Sequence, residues 1–508
     1  MGLIAKQSIQ GTIVTYLGVA VGVFTTFFVL TRFLTSEEIG LARVLVDAAT
    51  LFVGLAQLGS NSSIVRFFPH FRNTAEHHHG FFFWAMLVPL IGFALFSLVF
   101  WACHEPLAAW FGEKSPLFVD YYYFVLPMAF FMLYQTIFET SASVLMHIVV
   151  PRFVREVVLR VGLLIIYLCY AFHWLSINGF VLALCINYGI AAAINLIYLF
   201  SLERLSLRPD WLFLRQNPQL VRSYILYATF LLVSALTSVL APTLSSFFIT
   251  SQMGLNYTGI FAIATYIAVM VSIPYRSVIA ITQPELANTI KMGDTYNTTR
   301  LIHQAGNNLL LIGGFIFLAI WINIDLIFYI LPNGETYAQA RNVVLLLSIG
   351  QLMVAALNVY ISALSYSRFY ALSLINSLVL TVSALALNNY FIPRLGIDGA
   401  ALATLLSDVI YYALVVLTAS LALHVRPFSR KHALSLLLIV AIFALNALCN
   451  YIQHFAFSIL HSQFSILHSL LSILKTLILL GGGIFIAYRL QLSTEIHALL
   501  HTIFLRRK

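Results

Sequence analysis

Several ionisable residues lie inside or at the edge of long apolar stretches, where a charge needs a physical reason. Arg43 and Asp47 are four apart in G-L-A-R-V-L-V-D-A. That spacing puts both on one face of a helix and within reach of each other. A charge at the centre of a hydrocarbon layer costs about 2.5–3.5 kcal/mol on insertion scales, so such side chains face protein or water. Arg43 could therefore meet a phosphate from a polar cavity wall. It could equally form a structural ion pair with Asp47, or snorkel to the nearer interface. Arg66 and Arg276 end two apolar stretches. Their forked donors suit phosphate oxygens, and they suit plain charge anchors as well. Glu139 and Asp408 sit deeper within apolar segments. Each is a candidate proton or cation site, or the partner of a basic neighbour.

Other residues carry weaker signals. Arg155, Glu156 and Arg160 read as a charge cluster at an interface, and Lys475 as a snorkelling or accessory contact. His77, His78 and His79 form a run that reads as a solvated loop rather than a metal site. The cysteines, Cys103, Cys169, Cys185 and Cys449, are far apart with no C-x-x-C, so neither a metal site nor a disulfide framework is expected. There is no G-x-x-x-x-G-K-[ST] for nucleotide phosphates and no D-x-D. No cofactor is expected.

The elements that must position these residues follow from composition. Hydrophobic residues make up 61% of the 508 residues and charged ones 9%, against about 25% charged in soluble domains. Apolar stretches long enough to span a hydrocarbon core of about 30 Å recur throughout, and backbone in lipid must satisfy itself, so helices are the default. The expected spans are 10–31, 42–66, 80–102, 118–146, 154–172, 177–201, 222–248, 257–281, 303–330, 341–363, 367–389, 397–424, 432–452 and 467–488. The fold class is thus all-α integral membrane, with about fourteen transmembrane helices. Lys6 precedes the first span and no A-x-A-like site follows it, so this span is expected to stay in the membrane. Pro127, Pro242 and Pro274 fall inside spans and predict kinks. The runs Phe81–Trp84 and Tyr121–Tyr123 begin spans and read as interfacial aromatic belts.

The net charge of +9 is explained by where the 27 basic residues stand. With the N-terminus in the cytoplasm, only Arg32, Lys114, Arg341 and Arg394 fall in outer loops, while Arg43 and Lys475 lie within spans. The rest gather on the inner side, including Arg204, Arg426, Arg430, Lys431, Arg506, Arg507 and Lys508. This positive-inside asymmetry puts both termini in the cytoplasm and requires an even number of spans. It removes nucleic acid as the reason for the charge.

A repeat divides the chain. W-L-S-I-N-G-F-V-L-A at 174–183 matches R-L-G-I-D-G-A-A-L-A at 394–403, pairing Ile177 with Ile397 and Gly179 with Gly399. E-E-I-G-L at Glu37–Leu41 aligns with N-Y-T-G-I at Asn256–Ile260, pairing Gly40 with Gly259 at nearly the same offset. Copies of six spans run in the same direction, with a pseudo-twofold axis along the membrane normal. The expected plan is a six-helix lobe at 1–205, a second at 206–425, and two accessory helices with a tail at 426–508. A central cavity between two such lobes can open alternately to either side.

This layout resembles the multidrug/oligosaccharidyl-lipid/polysaccharide exporter superfamily, and within it the polysaccharide transporter branch of O-antigen and capsule flippases. The resemblance rests on S-E-E-I-G-L-A (Ser36–Ala42), Q-L-G-S-N-S-S-I-V-R-F-F-P (Gln57–Pro69) and G-I-D-G-A-A-L-A-T (Gly396–Thr404), and covers about 1–425. It implies a flippase for a polyprenyl-pyrophosphate-linked oligosaccharide, moved from inner to outer leaflet for cell-surface polysaccharide synthesis. It implies a bacterial inner membrane, surrounding lipids, and polymerase or glycosyltransferase partners. In that family the first, second, seventh and eighth helices line the cavity, which makes Arg43, Asp47, Arg66 and Arg276 substrate-binding candidates. Glu139 and Asp408 are the candidates for proton or sodium coupling.

Two other classes compete. A cation-coupled drug antiporter of the same superfamily needs buried carboxylates, and Asp47, Glu139 and Asp408 leave that open. A membrane glycosyltransferase or polymerase needs catalytic residues on sizeable outer loops. The outer loops here are short, the longest about 103–117, and Glu37 and Glu38 read as solvated charges, so no enzyme is expected.

Overall fold

A computed structural model describes residues 3–73, 77–202, 208–460 and 465–493. Arg204, Arg506, Arg507 and Lys508, counted above on the inner side, lie outside the described residues. Among the described residues every regular element is a helix. Ten described helices are long and apolar enough to cross a membrane. Large apolar side chains such as Ile197, Leu421 and Leu477 stay more than half exposed, as on a surface that faces hydrocarbon. The all-helical membrane class is as expected.

Local chemistry explains where the helices start and break. The second span begins at Ser36, six residues earlier than expected, because Thr35 and Glu38 form a capping box. Glu38 also accepts a hydrogen bond from the Tyr170 hydroxyl. The S-E-E segment is therefore the first turn of a helix and not a solvated loop. Arg43 consequently stands two turns inside Ser36–Ala56 rather than at its start. The span is interrupted after Gln57, where Gly59 takes a left-handed conformation (φ 70°), and resumes as Ser60–Phe71.

The prolines behave differently from one another. Pro274 ends a real break, with a 3-10 turn at Met270–Ser272 before the helix Tyr275–Met292. Pro242 lies within the continuous helix Pro218–Gln252. There the Thr243 hydroxyl donates to the carbonyls of Val239 and Leu240, 3.0 Å from each. Pro127 makes no kink. Its helix is Val125–Val144, so it sits in the first turn, where the missing N–H has no intrahelical partner to lose.

The chain forms two compact units, Met1–Ala262 and Ile263–Lys508. In the first, Ser36–Ala56 is the central helix and buries Leu41, Leu45 and Ala49 completely. It packs on Phe81–Ala102, Val125–Val144 and Pro218–Gln252. The aromatic runs contribute to this core rather than forming an exposed belt. Phe81 and Phe82 pack against Phe68, and Tyr122 stacks on Phe100 at 4.0 Å. Of the histidine run, His77 is exposed as expected, while the other two are packed. His78 is 2% exposed and takes an N–H from Asn73, while His79 stacks on Phe213 at 4.1 Å.

In the second unit, Ile302, Val359, Tyr360 and Ala419 form a buried core from three helices. The last two helices, Arg430–Leu460 and Ser465–Arg489, pack on Thr295–Ile322. Phe443 stacks on Phe317 and Trp321, and Ile439 fills the space left by Gly314. Lys475 donates to the Asn450 side chain at 2.5 Å, which ties these two helices together.

The repeat ends coincide in register. One helix begins at Ile177, and the 53-residue helical stretch Ala371–Leu423 is broken at Gly396, directly before the matched Ile397. Gly396 has φ 61° and ψ −136°, a region essentially reserved for glycine. Gly396→Ala is expected to cost about 1–3 kcal/mol and to lower the thermal midpoint of the detergent-solubilised protein. An unchanged midpoint would mean that the break is not strained for an alanine.

Candidate functional site

The closest helix crossing in the first unit joins the two glycines paired by the repeat. A side chain on Gly40 would collide with the carbonyl of Leu255, and one on Gly259 with the carbonyl of Ser36. Each would also come within 3.1 Å of the other glycine's amide nitrogen. Ser36 and Leu255 each stand four residues before a glycine of the pair, so the contact is reciprocal. The two helices thus cross backbone to backbone at this pair of glycines. Only glycine permits backbones to approach so closely. The nearby turn between Pro218–Gln252 and the next helix is held by polar contacts. Thr250 and Thr258 hydroxyls are 2.8 Å apart, and the Ser115 hydroxyl donates to the Thr250 carbonyl at 2.7 Å. Ser115 lies between the short helices His104–Phe111 and Pro116–Asp120, so this segment packs near the crossing.

Asp47 lies seven residues beyond Gly40, hence on the same face of Ser36–Ala56 and two turns deeper. Arg43 Nε donates to Asp47 Oδ2 at 2.8 Å, and Asp47 is 6% exposed. The expected pairing is present, and Arg43 keeps a fifth of its side chain accessible, at 21%. Arg66 stands on Ser60–Phe71 with its guanidinium 4.2 Å from the centre of the Tyr227 ring, a cation–π contact.

Glu139 is not free. It meets Arg155 at 2.9 Å, and Arg155 also reaches Glu156 at 3.5 Å. Glu156 pairs with Arg160 at 3.0 Å, and Arg160 donates to the Gly18 carbonyl at 2.7 Å. Glu156 is 6% exposed, so the centre of this network is buried and not an interfacial cluster. Charges buried in this way need near-complete pairing, since removing one partner strands the other. The reading of the residues one by one missed this network. Its signal was Gly11, Gly18 and Gly22 on the first helix, which face Arg152, the Glu156 backbone and Arg160 in turn.

In the second unit Asp408 makes no ion pair or hydrogen bond among the described residues. Its carboxylate lies against Gly350 of the helix Arg341–Ser365, where a Cβ would come within 2.9 Å. Polar groups on the same helix pair elsewhere, Gln351 with Ser272 at 2.7 Å and Asn358 with Tyr412 at 3.0 Å. Arg276, in the first turn of Tyr275–Met292, is exposed and makes no ion pair among the described residues. The structure therefore joins Arg43 to Asp47 and Glu139 to Arg155, and leaves Asp408 and Arg276 without an ion pair among the described residues. No cluster of metal-ligating side chains occurs among the described residues.

Apolar spans and buried ion pairs define a multi-pass helical membrane protein. Its fold is similar to that of the lipid II flippase MurJ in an inward closed conformation, with a TM-score of 0.69 over 95% of this chain and 99% of that one, at 13% identity. It is also similar to an inward-facing multidrug resistance MATE family transporter of the MOP superfamily, at TM-score 0.59, 14% identity and 84% and 99% coverage. A variant of the Vibrio cholerae MATE transporter VcmN gives TM-score 0.56, 16% identity and 84% and 98% coverage. By sequence, no curated protein matches. The chain belongs to the polysaccharide biosynthesis protein family, whose model matches residues 8–285. The superfamily resemblance drawn from the motifs is thereby borne out.

The reciprocal crossing makes a sharp prediction. Gly40→Val and Gly259→Val should each lower the thermal midpoint, by about 1–3 kcal/mol of overpacking. The double variant should lose less than the sum, because one contact is opened in all three. Additive losses would mean that the glycines do not share it.

Proposed function

We propose that this protein flips a polyprenyl-pyrophosphate-linked oligosaccharide from the inner to the outer leaflet of a bacterial inner membrane by alternating access. The observation that carries the reading is the coincidence of a polysaccharide biosynthesis family match with a fold similar to a lipid II flippase over nearly the whole chain. In this reading fourteen helices divide into lobes 1–205 and 206–425 and the accessory pair in 426–508, with both termini cytoplasmic. The register of the repeat ends supports that division. Arg43, oriented by Asp47, is assigned to the pyrophosphate, and Arg66 and Arg276 to its entry. Polymerase or glycosyltransferase partners would supply and use the substrate.

Energetics favour a voltage drive. One elementary charge crossing 100 mV is worth about 2.3 kcal/mol, so a pyrophosphate with two negative charges leaving a negative interior gains about 4–5 kcal/mol. In proteoliposomes, flipping should slow when the potential is collapsed, and Arg43→Gln should reduce it at least about tenfold, the equivalent of 1.4 kcal/mol. Flipping that is indifferent to both would sink the assignment.

A cation-coupled antiporter of the same superfamily is the second reading, and Asp408 favours it. A carboxylate with no counter-ion among the described residues, inside a spanning helix, is suited to take up a proton or sodium. If coupling runs through it, Asp408→Asn should abolish the dependence of transport on a proton or sodium gradient. If both gradients leave transport unaffected in the parent protein, coupling at Asp408 is ruled out.

A further inference from the structure

The second unit holds a cavity of about 1070 Å³ that none of the candidate residues above lines. Three chain segments form it: the first turns of Thr295–Ile322, the joint 424–431, and Leu492 and Ser493 after the last helix. Its lining includes Arg300, Arg426, Arg430 and Lys431, together with His303 and His424, and no carboxylate. None of these four permanent cations forms an ion pair among the described residues. Asp294, which caps Thr295–Ile322, is outside the lining; its carboxylate is held by Asn297 at 3.0 and 2.6 Å and attracts Arg300 through space without forming an ion pair.

The frame around these cations is built. His303 Nε2 lies 2.7 Å from the Arg426 carbonyl oxygen, and the Tyr360 hydroxyl donates to the carbonyl of Pro427. Ser429 and His432 side chains are 2.8 Å apart. At the floor Asn307, 3% exposed, donates to the Leu492 carbonyl at 2.8 Å and accepts from Ser435 at 2.8 Å. The segment after the last helix is thus pinned to Thr295–Ile322 by a buried hydrogen bond, and the joint is tied to that helix through His303 and to Arg341–Ser365 through Tyr360. Like charges gathered with no ion-paired carboxylate among the described residues repel one another and destabilise the fold that gathers them. A frame that holds them in place implies an anion that offsets the repulsion.

We propose that this cavity binds a phosphate-bearing anion of at least two negative charges, distinct from the transported substrate. The guanidinium forks suit phosphate oxygens, and the volume admits more than a single phosphate. The positive-inside asymmetry puts the cavity at the cytoplasmic surface. An acidic phospholipid headgroup and a soluble diphosphate both present this chemistry there. The site is independent of the flippase reading, because it uses none of the residues assigned to the substrate.

The test is thermal unfolding of the full chain in nanodiscs. One arm adds inorganic pyrophosphate to neutral phosphatidylcholine discs; the other replaces part of the lipid with phosphatidylglycerol and adds no pyrophosphate. At least one arm should raise the midpoint of the parent protein, and the arm that does so identifies the source. In the Arg426→Gln/Arg430→Gln double variant that rise should vanish, with pyrophosphate affinity at least about tenfold weaker where that arm responds. If the double variant fails to fold, Arg300→Gln takes its place with the same expectation. No rise in either arm, or a rise undiminished in the variant, overturns the proposal.

Discussion

Backbone contact between Gly40 and Gly259 is the constraint on which the first unit depends. Two helices can meet this closely only where neither carries a Cβ, and the meeting point fixes the direction of everything attached to them. Arg43 and Asp47 face their surroundings as they do because they hang from the same helix, one and two turns below the crossing. The segment between His104–Phe111 and Pro116–Asp120 reaches the same point through Ser115. Because the contact is reciprocal, each half of the crossing is held by the mirror of the interaction that holds the other.

A second constraint is how charge is handled inside the apolar spans. Arg43 and Asp47 neutralise each other on one helix, and Glu139, Arg155, Glu156 and Arg160 do so across several. The glycines of the first helix make room for the second arrangement, because a larger residue at Gly18 would collide with the Glu156 backbone. Asp408 is treated differently. It is given space by Gly350 and no counter-ion among the described residues. That difference could not be seen from residue types alone.

The accessory helices also acquire a physical role. Reading the chain as two repeats leaves them as an addition, yet their aromatic and aliphatic side chains complete the packing of Thr295–Ile322. Their entry and exit segments, pinned through Asn307, enclose a basic cavity. The cations of the joint, which explain orientation when counted along the chain, gather around one volume when placed in space.

Composition and pattern alone determined the membrane class and the helical architecture, and the motif resemblance pointed to the family that the match over residues 8–285 shows. These are set by local rules: spans must be apolar and helical in lipid, and motif glycines sit where backbones approach or turn. The tertiary structure decided what each polar residue meets. It placed Glu38 in a cap, His78 and Phe82 in a core, and Glu139 on Arg155, and it left Asp408 without a counter-ion among the described residues. The reason is physical. Partners such as Gly18 and Arg160 are 142 positions apart in sequence, and whether a buried charge is neutralised depends on helix packing that no local spacing encodes.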